Sequence, residues 1–149
     1  MAKTDPSQMS VYIAAAIVII VTALWAVLFV PRLGMHPEAA KDGAADSSRV
    51  FFKFLLAAAV VLLACVILSQ LGGRIISGVI TGLLYLAAGL VVFHDFMVFN
   101  GAVFYLQEYE GFLTEAILML ICVGANLIAA ILAIKAGNTY RQSSLPRDR

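Results

Sequence analysis

Apolar positions along this chain gather into four long runs. Val11 to Val30, Phe54 to Leu71, Ile75 to Phe93 and Ala116 to Ile134 contain no charged side chain. About 20 residues at 1.5 Å rise match the ~30 Å hydrocarbon core of a bilayer, so each run reads as a membrane-spanning helix. The pattern predicts four spans, at about 11–30, 50–71, 74–98 and 112–136, in one all-α domain over residues 1–149. The expected fold is an integral membrane four-helix bundle of up-and-down topology, with both termini on the same side.

The connections between the runs set neighbours. Leu71-Gly72-Gly73-Arg74 leaves only a few residues between the second and third spans, which requires an antiparallel hairpin of adjacent helices. Asp5-Pro6-Ser7 suits the first turn of the first helix, with Ser7 or Ser10 as cap and Pro31 closing the far end. Arg32 to Arg49 reads as a polar loop whose last residues suit the start of the second helix. Asn100-Gly101 interrupts the apolar pattern, and Ala102 to Gly111 reads as a loop.

Composition changes the picture by exclusion. The chain is 62% hydrophobic and 13% charged, whereas about a quarter of a soluble domain is charged. So little lies outside the spans that a soluble catalytic domain has no room. A formal net charge of +1 gives no clustered basic surplus for nucleic acid. The first span runs to Pro31-Arg32 without a small-residue cleavage signature, which sets it apart from a signal peptide. Cys65 and Cys122 both fall within spans and read as small apolar fillers, able to pair only if their helices are neighbours.

Positive charge sets an orientation. Lys3, Arg74, Lys135, Arg141, Arg147 and Arg149 share the side of the termini, against Arg32, Lys41, Arg49 and Lys53 opposite. That bias places the termini in the cytoplasm. The aromatics concentrate at the other end, where Phe96, Phe99, Phe104, Tyr105, Tyr109 and Phe112 form the densest group. Aromatic belts normally mark both interfaces, so a one-sided cluster is a candidate docking patch.

The same end holds the candidate chemistry. Arg32, Lys53, His94, Asp95 and Glu115 are expected at similar depth, near the ends of their helices. Ionisable groups near lipid must pair or reach water, so an interfacial ion-pair network is the first reading and a proton or cation site the second. In the second, His94 titrates near neutral pH under the influence of Asp95 or Glu115. Neighbours on a helix point about 100° apart, so His94 and Asp95 are expected to need a local break to share one site. A haem would need a second inward histidine, and His36 falls in the polar loop beside Pro37. No cofactor or metal site is therefore expected.

Within the apolar runs, Gly78 and Gly82 make a Gly-x-x-x-Gly step, and Ala125 and Ala129 a similar small-residue stripe, with Asn126 as the strongly polar side chain between them. These positions are expected to mark helix contacts. The layout is comparable to tetraspan families such as the MARVEL-domain proteins and claudins in topology alone. The tryptophan and paired cysteines of the first claudin loop have no counterpart between Arg32 and Arg49, so no functional residue is carried over. The functional expectation is a non-catalytic multi-pass membrane protein that associates with lipid and with other membrane subunits or itself. The rival is a small oligomeric transporter or channel.

Overall fold

The computed structural model describes residues 5–29, 44–108 and 113–146. Helix α1 spans Pro6–Leu24 and continues as a π-helical turn over Trp25–Phe29; α2 spans Ala44–Leu68, α3 Arg74–Glu108 and α4 Leu113–Ser144. Among the described residues there is no strand, and each of the four helices contains a stretch long and apolar enough to cross a membrane. The chain is an all-α four-helix bundle.

Local chemistry explains the helix ends and corrects several sequence expectations. The cap of α1 is Asp5 rather than Ser7 or Ser10: its side chain accepts from the Ser7 N–H at 3.1 Å, and Pro6 takes the first helical position. Ser10 Oγ instead donates to the Pro6 carbonyl. Helix α2 begins at Ala44, inside the expected loop. Helix α3 passes through Asn100-Gly101 without a break and reaches Glu108. There the Asn100 amide donates to the Phe96 carbonyl at 2.7 Å, so this polar residue is satisfied by its own helix. In the same way Thr139 donates to the Lys135 carbonyl and Ser143 to that of Thr139, within an α4 that runs beyond the expected end at 136. Apolar runs mark what lipid covers; backbone hydrogen bonding decides where a helix stops.

Between α2 and α3 the chain reverses through Gly72 and Gly73, whose φ values of +67° and +105° are costly for any residue with a β-carbon. The helices then stand in the cyclic order α1, α2, α3, α4, each packed on two neighbours, with the α3–α4 contact the most extensive. Gln8 Nε2 donates to the Ser69 carbonyl at 3.0 Å, and Gly78 approaches Ser144. The start of α1, the α2–α3 turn and the end of α4 thus lie at one end of the bundle, and successive helices run antiparallel.

Burial repeats every seven residues, as in left-handed bundles whose helices cross at about 20°. In α3 the pairs Ile80-Thr81, Ala87-Ala88 and His94-Asp95 are all buried. In α1 the repeat runs through Val11, Val18 and Trp25, and in α4 through Met119, Asn126 and Ala133. Much of this interior is alanine, which lets backbones approach closely where lipid offers no hydrophobic drive between helices. Large apolar side chains such as Ile20, Val27, Val60, Ile67, Ile121 and Ile131 point outward and are exposed. A surface so apolar suits a lipid solvent and not water.

Candidate functional site

Polar side chains meet in the bundle interior at one level. His94 and Asp95 on α3 are 1% and 3% exposed, and Asn126 on α4 is 0% exposed. Asn126 Nδ2 donates to Asp95 Oδ1 at 2.9 Å, and His94 Nδ1 lies 3.1 Å from the same oxygen. With its proton on Nδ1, the imidazole donates there too. The Trp25 ring stands edge-on to the His94 ring, centroids 5.1 Å apart and planes 78° apart. Trp25 opens the π-helical turn of α1 and reaches His94 diagonally across the bundle interior, since α1 packs on α2 and α4 and not directly on α3.

Adjacent residues share this site without any break in α3. The helix is flanked by both α2 and α4, so its buried stripe is wider than the ~100° that separates neighbours. His94 and Asp95 occupy the register that Ala87 and Ala88 occupy one heptad earlier. That register was the available signal in the sequence, because a seven-residue repeat of paired buried positions places both side chains inward.

Three polar atoms of this cluster have no hydrogen-bond partner among the described residues: His94 Nε2, Asp95 Oδ2 and Asn126 Oδ1. Buried polar groups are normally satisfied, and each open atom here is costly. Cys122 lies one turn before Asn126 on the same buried face of α4. It is a free thiol, as is Cys65 on the diagonally placed α2, and both are buried.

The other ionisable residues expected here lie elsewhere. Glu115 is half-buried in the first turn of α4, about three turns or ~16 Å along the axis from Asn126. Lys53 is exposed on α2, and Arg32 lies outside the described residues. The expected grouping at one depth is corrected for Glu115 alone: Lys53 stands near the level of His94 and Asp95, since the neighbouring Phe54 ring packs on Phe93 with centroids 5.0 Å apart, but on the exposed face of α2 and not in the interior. No group of three or more potential metal ligands occurs among the described residues.

The aromatic set divides similarly. Phe96 and Phe99 face outward from α3, 64% and 50% exposed. Phe104 and Tyr105 belong to the last turns of α3 rather than to a loop, and Tyr109 and Phe112 lie outside the described residues.

The small-residue positions split as well. Asn126 and Ala129 are buried and Ala125 is half-buried, whereas Gly78 and Gly82 are exposed, and a β-carbon at Gly82 would meet nothing within 4 Å. Gly82 thus faces away from the bundle while Gly78 lies at the edge of the α4 contact, and Thr81 faces inward, its single hydroxyl proton shared between the Ser77 carbonyl at 2.8 Å and the Gly137 carbonyl at 3.4 Å. The close approach that needs a glycine is at Gly137, where a β-carbon would lie 3.0 Å from Tyr85 Cε1. An isolated glycine carries no motif, and only the facing ring reveals its role.

Comparison with protein families, with curated proteins and with solved structures gives no match.

Proposed function

We propose that this chain is a non-catalytic multi-pass membrane protein that works by association, as an accessory subunit or scaffold within a larger membrane assembly. The observation that carries this reading is the make-up of the interior. Above and below the His94–Asp95–Asn126 level, the buried positions are overwhelmingly alanine, valine and leucine. A conducting path needs a polar lining across the bundle; beyond that level the buried polar side chains of the described residues are only the hydroxyls of Ser7, Thr22, Ser69 and Thr81, and Thr22 and Thr81 each bond back to a carbonyl of their own helix.

What such a bundle offers to neighbours is its outer face. On α3 that face carries Phe93, Phe96 and Phe99, spaced to stack along one side of the helix and all exposed. Bulky aromatic surface of this kind favours packing against another membrane helix, since aromatic residues are enriched at interface cores. No charged side chain interrupts it between Asp95 and Glu108.

The test is the native mass after mild detergent extraction from the protein's own membrane, combined with photo-crosslinking from positions Phe96 and Phe99. The expected result is one stoichiometric assembly, with crosslinks from both positions to the same partner. A lone monomer that crosslinks only to lipid would overturn the reading.

A further inference from the structure

We propose that His94, Asp95 and Asn126 form a buried proton-binding centre in the bundle core, with His94 as the residue that gains and loses the proton. The argument begins with charge. Neutral His94 beside ionised Asp95 leaves one net negative charge among groups that are at most 3% exposed. A buried charge without a counter-charge is strongly disfavoured. One added proton makes the pair neutral, either as imidazolium with carboxylate or as imidazole with carboxylic acid.

Hydrogen-bond capacity points the same way. Asp95 Oδ1 accepts from Asn126 and faces His94 Nδ1, while His94 Nε2, Asp95 Oδ2 and Asn126 Oδ1 stay open. With the imidazole neutral and protonated on Nδ1, all three open atoms are acceptors. A proton on Nε2 or Oδ2 turns one acceptor of the cluster into a donor. A metal cation would do less well, because hard cations take about six or more oxygen ligands and the cluster has two open oxygens.

Among the described residues, the groups facing the centre bring no fixed counter-charge. From α4 comes Asn126, with the buried, uncharged Cys122 one turn before it. From α1 comes the Trp25 ring, and α1 with its π turn contains no Asp, Glu, Lys, Arg or His. The neighbouring α2 contributes Leu55, Ala58 and Leu62 to the core, while its Lys53 is exposed. A second, independent observation is the π-helical turn at Trp25–Phe29, which begins at the residue whose ring packs on His94; such turns are frequent at functional sites. The inference holds whether or not the chain travels in an assembly.

The chain has a single tryptophan, and it lies on His94, so its emission reports the charge of the imidazole. Full-length protein in phosphatidylcholine vesicles is titrated with pH while helix content is followed by circular dichroism. The expected result is a loss of Trp25 emission on acidification, at constant helix content, in one step. His94→Gln removes the step and Asp95→Asn displaces it along the pH axis. Emission independent of pH in the wild-type protein would overturn the proposal, as would a step that persists in His94→Gln. A response to Na⁺ or K⁺ at constant pH in place of the pH step would also overturn it, in favour of a cation. If His94→Gln does not fold, Asp95→Asn decides, and an unmoved step in that variant counts against the proposal.

Discussion

The end of the bundle that carries both termini and the level of His94 handle polar groups in opposite ways. At the terminal end, most polar side chains bond across helices, Gln8 to the Ser69 carbonyl, Gln70 to Tyr12, Tyr85 to Asn138, and Thr81 to the Gly137 carbonyl, and a single buried atom, the Tyr140 hydroxyl, stays open among the described residues. Most of these groups are exposed or half-buried, close enough to the helix ends for water to complete any remaining valence. At the His94 level the polar atoms are deeper, one oxygen serves two neighbours, and three atoms stay open. The first arrangement holds helices together; the second stores an unmet electrostatic demand. A bundle built only for packing could have filled that level with alanine, as it does one heptad earlier at Ala87-Ala88.

This contrast can be broken most sharply at its costly side. His94→Ala removes the neighbour of a buried carboxylate and is expected to destabilise the protein by about 3–5 kcal/mol. Unfolding of purified protein in mild detergent, monitored by circular dichroism, checks this, and a loss below about 1 kcal/mol would mean that water already reaches Asp95. A smaller effect is expected where the terminal half is tightly packed. Gly137→Leu drives a side chain into the Tyr85 ring and is expected to cost about 1–3 kcal/mol, whereas Gly82→Leu on the outward face stays within about 0.5 kcal/mol. Equal losses in the two variants would show that the Gly-x-x-x-Gly face is also an interface. The smallest change is expected for Gln8→Ala, about 0.6 kcal/mol for one interhelical hydrogen bond, measured in the same unfolding assay. A larger loss there than in His94→Ala would reverse the comparison between the two regions.

Legibility in the sequence varied with the range of the interaction. Four uncharged runs and the Gly72-Gly73 reversal were enough to define the helices, their antiparallel order and the shared side of the termini, because bilayer thickness and a short turn act locally. Helix ends were less legible. Asn100 looked like a breaker and instead bonds back to Phe96, and α2 starts within a segment rich in alanine and serine that resembled a loop. His94 and Asp95 stand out in the sequence as ionisable residues at the end of an apolar run, but their joint inward placement depends on the width of the buried stripe, which only the flanking helices set. Gly137 had no sequence signal at all, since its role depends on the ring of Tyr85 on another helix.

The sequence by itself determined the solvent, the number of helices and their order, through the length of its apolar runs and the brevity of the α2–α3 connection. Tertiary structure alone decided which polar side chains meet. Helix α3 lies between α2 and α4, and that placement turns two adjacent residues inward and brings Asn126 to Asp95 instead of Lys53 or Glu115. The physical reason is that apolar length is a property of one segment, whereas the partner of a buried charge depends on how several helices rotate and slide against one another to fill their shared core.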